Sequence, residues 1–198
     1  MSSFIRRAGP ATLVTILTGS CGGPRVLPPD VKLNPSPKER YEILLTVENP
    51  PSPVRIGDTW AQMDIENPEC MPLADRVAGV KPDSTSLQPI SFKQVGDNTY
   101  VGYVYADYYL EEDYYGQGVC VWKTTTVRAL IHIGSIEQSA HMDGELVMSQ
   151  ESELNLCARP DTDPVSPDIC SRPLDGKVTD KDRVFNYIVI IKSRKISQ

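Results

Sequence analysis

The sequence predicts an all-β fold, a single β-sandwich domain of about seven or eight short strands. Three observations predict it. Segments of period two recur along the 198-residue chain, each bounded by Gly, Pro, Asn or Asp. Seventeen prolines gather between those segments, where they stop strands and leave long connecting loops. No stretch carries a convincing amphipathic helical period. A chain of this length suits one domain, and a hydrophobic fraction of 40% is enough to fill a core.

The elements follow in order. Tyr41, Ile43, Leu45 and Val47 alternate with Glu42, Leu44, Thr46 and Glu48, which gives one apolar face. Pro50-Pro51-Ser52-Pro53 stops that strand, since proline cannot donate to a ladder. Trp60 to Asn67 alternates again, with Ala61, Met63 and Ile65 inward and Cys70 just beyond its end. Residues 71–88 lack a period and read as a loop. Pro89 to Val95 is a short strand, and Gly96-Asp97-Asn98 a turn tolerant of positive φ. Thr99 to Ala106 and Val119 to Ile133 are two further strands, and the residues between them read as a hairpin loop. Glu145-Leu146-Val147-Met148 and Glu153 to Cys157 are shorter candidates, with His141 in a turn before them. Residues 158–180 hold Pro160, Pro164, Pro167 and Pro173 among Asp, Ser and Thr, as a long excursion. Arg183 to Lys192 is rich in β-branched residues and reads as a central strand.

Residues 1–20 have the makeup of a lipoprotein signal peptide. Arg6 and Arg7 precede the apolar run from Ala11 to Leu17, which is too short to span a bilayer. Leu17-Thr18-Gly19-Ser20 then leads into Cys21, and small residues directly before a cysteine resemble a lipobox. The family pattern places Leu three residues before the cysteine, where this chain has Thr18. The resemblance implies a diacylglycerol on Cys21 and cleavage before it; an ordinary secretory signal is the alternative. Residues 21–38, rich in Gly and Pro, read as a tether that lifts a 39–198 domain off a membrane. After cleavage, 18 basic face 26 acidic side chains, a net −8 in place of −6. That balance argues against a nucleic-acid partner.

With Cys21 lipidated, Cys70, Cys120, Cys157 and Cys170 remain, an even number in an exported chain. Of three possible connectivities we favour Cys70–Cys120 and Cys157–Cys170. The first closes a long loop between strand flanks, and the second clips the proline-rich excursion. Each is worth about 3–4 kcal/mol under the chain-entropy account. Trp122 beside Cys120 fits the way immunoglobulin-like sandwiches pack an indole on their bridge, so the expected sandwich is immunoglobulin-like.

Chemistry is sparse. There is no Gly-x-Ser-x-Gly elbow, and no Cys-x-x-Cys pair or histidine spacing that fits zinc. His132 falls on the polar parity of its strand. Gly116-Gln117-Gly118 lacks the third glycine and the helix of a dinucleotide site. The expectation is a protein that is not an enzyme and binds no metal or cofactor. The most distinctive stretch runs from Asp107 to Tyr115, with four carboxylates and four tyrosines in nine residues. Asp107, Glu111, Glu112 and Asp113 are too bunched for the separated pKa values of a glycosidase pair, and they lack the EF-hand pattern for calcium. Acids steer a basic partner, and Tyr108, Tyr109, Tyr114 and Tyr115 offer rigid contact area. These eight residues are the candidate partner-binding set, with a solvated loop packed on its own sheet as the bland alternative.

Asp113-Tyr114-Tyr115-Gly116-Gln117-Gly118-Val119-Cys120-Val121-Trp122, together with Asn67-Pro68-Glu69-Cys70-Met71-Pro72-Leu73, resembles a motif pair shared by a group of small proteobacterial lipoproteins. The resemblance runs from Tyr41 to Cys157. Such lipoproteins are similar to periplasmic immunity proteins of interbacterial toxin systems. That implies a protein lipid-anchored to the inner leaflet of the outer membrane, facing the periplasm. Its partner would be a secreted effector such as a lipase or cell-wall hydrolase. The rival expectation is a structural envelope lipoprotein or an accessory subunit of a secretion apparatus.

Overall fold

The computed structural model describes residues 30–73, 79, 81, 84–158, 169–171 and 187–196. Cys21, residues 1–20 that are expected to be a signal peptide, and residues 22–29 of the expected tether lie outside them. Two antiparallel sheets organise the chain. The first strand, β1 (Arg40–Glu48), buries Tyr41, Ile43, Leu45 and Val47, as its alternation predicts. It pairs with β5 (Thr99–Tyr105) on one side and β10 (Tyr187–Ile196) on the other. β4 (Lys93–Gly96) covers the far edge of β5, while β8 (Ser152–Ala158) and β9 (Ile169–Ser171) continue beyond β10. The order is therefore β4-β5-β1-β10-β8-β9. The expected last strand is central here as Tyr187–Ile196, and residues 183–186 of that expectation lie outside the described residues.

The second sheet has the order β3-β2-β6-β7, built from β2 (Val54–Ile65), β3 (Thr85–Pro89), β6 (Trp122–Ile133) and β7 (Ile136–Asp143). Buried side chains of both sheets, among them Ile43 and Leu45 from one and Val127, Ile131 and Met142 from the other, form one hydrophobic cluster. Each such residue contributes about 1.5–3 kcal/mol by leaving water.

Several expectations change. Ten strands are present among the described residues, where seven or eight were expected. Part of the 71–88 loop is strand β3. His141 lies in β7, paired back on β6 through the tight Gly134-Ser135 turn; inward Gln138 and small Ala140 mute its apolar signal. Glu145 to Met148 is not a strand but most of a short helix, α1 (Gly144–Ser149), which carries the chain from β7 in one sheet to β8 in the other. The reason is local crowding. A Cβ on Gly144 would come within 1.9 Å of the Thr124 carbonyl oxygen, so only glycine lets the chain turn so close to β6. Gln150, at φ 62, ends the helix in the left-handed region. Ser193 Oγ donates to the Val147 carbonyl at 2.8 Å, adding a side-chain donor from β10 to the Gln150 N–H that already caps it.

The residues between β5 and β6 are not a hairpin loop, because these two strands belong to different sheets. Residues 106–121 instead cross from one sheet to the other at one end of the molecule. The bridge departs from the immunoglobulin pattern too. Cys70 ends a single 3-10 turn (Pro68–Cys70) after β2, and Cys120 precedes β6. β2 and β6 are neighbours in one sheet, whereas the immunoglobulin bridge joins two sheets.

Candidate functional site

The crossover makes a corner with its own small core. Met63, Ile65, Cys70, Met71, Tyr109, Cys120 and Trp122 are buried together, with Val31, Tyr108, Tyr114 and Tyr115 packed around them. This cluster sits on the inward face of the ends of β2 and β6, where Met63 and Ile65 continue the alternation of β2.

Two clips hold its floor. Cys70 and Cys120 are joined with their Cα atoms 5.4 Å apart, a separation normal for a disulfide. Beside them Asn67 does a similar job with its amide. Its Nδ2 donates to the Val119 carbonyl at 2.8 Å, and its Oδ1 accepts from the Val121 N–H at 2.7 Å. Asn67 and Cys70 thus grip the same short segment, which gives a physical reason for the pairing of the two motifs. Lys81 Nζ caps the same 3-10 turn by donating to the carbonyls of Pro68 and Met71. Cys157, for its part, is disulfide-bonded and stands directly opposite Cys170 in the β8–β9 ladder. The Cys170 side chain, and with it the expected Cys157–Cys170 pairing, lies outside the described residues.

The N-terminal segment forms one wall of the corner. Residues 31–39, most of them expected to be tether, run antiparallel to Asp107–Glu112 as a strap. Asn34 N–H donates to the Tyr108 carbonyl at 2.8 Å, and Leu110 N–H to the Lys32 carbonyl at 2.9 Å; Leu33 and Tyr109 pair as a single bridge. Asp107 fastens the strap's other end. Its carboxylate accepts the N–H groups of Lys38 and Glu39 at 2.8 and 3.0 Å, and its carbonyl accepts from Asn34 Nδ2 at 2.8 Å. Lys32 Nζ lies 2.6 Å from Glu112, whose hydrogen bond and charge hold that ammonium above its ordinary range.

The eight residues of the expected contact set therefore divide. Asp107 and Glu112 are spent on the strap. Tyr109 is buried, stacks at 5.1 Å against Trp122, and donates its hydroxyl to the Leu87 carbonyl at 2.8 Å. Burial, then the adjacent Tyr108, raises its phenol pKa; burial also raises that of Tyr115. Tyr108 meets Tyr109 edge-on at 5.0 Å, and Tyr114 meets Trp122 edge-on at 6.5 Å while donating to the Leu110 carbonyl at 2.6 Å. Only Glu111 and Asp113 of the eight are exposed, and Asp113 Oδ1 accepts the Gln117 N–H at 2.9 Å. Gly116 and Gly118 turn the exposed tip with φ of 72° and 109°, a backbone that other residues adopt at a cost.

The two histidines are not brought together with this corner. His132 and His141 pair across β6 and β7 with Glu137 and Arg128 respectively, on the outward parity of the second sheet. His132 Nδ1 is 3.8 Å from Glu137. Among the described residues no group of three or more His, Cys, Asp or Glu could hold a metal ion, and no helix is long and apolar enough to cross a membrane. A shallow concavity of about 660 Å³ lies beside β2 and β3, lined by Trp60, Leu87, Ile90 and Phe92 among others. Comparison with protein-family models, characterised protein sequences and solved structures finds no match to this chain.

Sequence reasoning missed Asn34 and Asn67, the two amides that lace the corner. For Asn67 a signal existed in the Asn-x-x-Cys motif. For Asn34 there was none, because its partners lie 73 residues away.

Proposed function

We propose that this is an exported, lipid-anchored binding protein of the immunity class, which occludes a secreted antibacterial effector in the periplasm. One observation carries the reading: the crossover corner uses its strap, disulfide and aromatic rings to fix its own backbone, and what it then presents outward is acidic. A surface ordered before its partner arrives loses less entropy on binding. The two sheets, with one shared core, would form the sandwich that carries this corner. Cys21 would supply the membrane anchor on the outer membrane's inner leaflet, and the segment before Val31 the link to it. Export agrees with a disulfide in the corner.

The test is binding of the soluble chain, with Cys21→Ser, to the products of genes adjacent to its own, together with survival of cells producing each such product. The expected result is a complex of sub-micromolar affinity and protection from one toxic product. If the only partner is a permanent envelope subunit, and deletion of the gene is harmful with no toxin present, the structural-lipoprotein alternative takes its place.

A further inference from the structure

Six of the eight sequence-predicted contact residues are internal ties or packing on the corner's core. The exposed margin of the same corner has a different composition. Glu69, Glu111 and Asp113 are exposed there, and among the described residues no side-chain hydrogen bond or ion pair engages Glu69 or Glu111. The lysines tied to this corner are engaged elsewhere: Lys32 with Glu112, Lys81 with two carbonyls, and Lys123 with Glu66 and Glu145. The same corner also bears three large apolar side chains open to solvent, Leu33 at 56%, Val119 at 51% and Leu73 at 43% exposure. All three border the buried corner. Leu33 is bridged to Tyr109, Val119 is held by Asn67, and Leu73 follows Met71 by two residues. Scattered single apolar residues are ordinary on a surface, whereas exposed apolar side chains gathered around one buried cluster together with polar ones mark a candidate interaction site.

Resting on the binding-protein reading above, we infer that this margin is the docking surface, and that its occupant is a protein offering Lys or Arg around an apolar centre. Charge decides between a protein and a lipid occupant. Uncompensated carboxylates repel an anionic leaflet, whereas they attract and orient a basic protein face. The contact therefore runs through Glu69, Glu111 and Asp113 with Leu33, Leu73 and Val119, and the tyrosines behind them act as its rigid backing.

Nuclear magnetic resonance titration of the full chain, carrying Cys21→Ser, tests this with defined probes: a short amphipathic Lys/Leu peptide, its Glu/Leu counterpart, and vesicles of phosphatidylethanolamine with phosphatidylglycerol. The Lys/Leu peptide is expected to shift the amides of residues 69, 73, 111, 113 and 119, with binding that weakens as salt rises. Glu69→Lys combined with Glu111→Lys is expected to weaken it roughly tenfold while the Trp122 environment is unchanged, since neither side chain supports the fold. Equal binding of the Glu/Leu peptide, shifts centred elsewhere, or the same shifts produced by vesicles overturns the inference. The two readings fail separately. An effector that still binds the reversed variant removes this surface and leaves the function; a responsive margin with no effector among adjacent genes does the opposite.

Discussion

Removing the Asp107 carboxylate should unfasten the strap. In Asp107→Ala the N–H groups of Lys38 and Glu39 lose acceptors at 2.8 and 3.0 Å. A hydrogen bond to a charged group contributes about 1.5–3 kcal/mol net. Asp107 is half-buried, so water can replace part of what is lost, and the expected destabilisation is about 2–4 kcal/mol. Asp107→Asn keeps one acceptor oxygen but turns an NH2 group toward the other donor, which should cost about 1–2 kcal/mol. For a chain of this size the alanine variant should lower Tm by roughly 4–16 °C. Urea unfolding followed by tryptophan fluorescence gives the global number, and Trp60→Phe leaves Trp122 as a reporter of the corner alone. Hydrogen exchange supplies the local arm: the amides of Asn34, Lys38, Glu39 and Leu110 should lose protection before those of β1. A chain that begins at residue 39 should show the same loss at Leu110, whereas one that begins at residue 30 should not. Stability within about 0.5 kcal/mol of the parent, with unchanged exchange at these amides, would refute the assignment of Asp107 as the fastening.

Three further outcomes are expected. Cys120→Ala opens a bridge of sequence separation 50, which the chain-entropy relation values at about 4 kcal/mol; equilibrium unfolding of Cys120→Ala and of Cys70→Ala should agree, and unequal losses would show that one thiol does something besides bridging. Gly144→Ala places a methyl within 1.9 Å of the Thr124 carbonyl oxygen and should cost about 3 kcal/mol or more, measured against Gly116→Ala, where nothing lies within 4 Å of the added Cβ and left-handed backbone alone costs about 1–2 kcal/mol. Stability should fall as pH rises above about 10, because burial raises the phenol pKa of Tyr100, Tyr109 and Tyr115. A raised folded-state pKa means the folded form holds its proton longer, so stability is intact below the unfolded value and declines above it. Tyr109→Phe should flatten that alkaline slope while giving up the bond to the Leu87 carbonyl, and an unchanged slope would sink the assignment.

The sequence showed the strands whose two faces differ. Tyr41, Ile43, Leu45 and Val47 each alternate with a side chain that belongs in water or at a sheet surface, and all four are buried. β7 escaped notice because its inward positions are Gln138, Ala140 and Met142, and a buried amide breaks the apolar period that identifies a strand. α1 escaped for a different reason. Leu146, Val147 and Met148 have no strong preference over so short a run, and the deciding contact is between Gly144 and a carbonyl 20 residues earlier in the chain.

The crossover was misread because neighbours in sequence need not be neighbours in a sheet. Two good strands with a glycine-bearing stretch between them satisfy every local rule for a hairpin. What overrides those rules is non-local: Asp107 finds Lys38 and Glu39, 69 and 68 residues away, and Asn67 finds Val119 at a distance of 52. The same non-locality explains the division among the acids. Asp107, Glu111, Glu112 and Asp113 are equivalent in composition, and no period of two or 3.6 residues separates the engaged pair from the exposed pair. The strap does. Carboxylates that face residues 31–39 are consumed by N–H and ammonium donors there, and those that face away keep their charge for solvent or a partner. Composition thus located an acidic surface, but which carboxylates belong to it was set by a segment that read as tether.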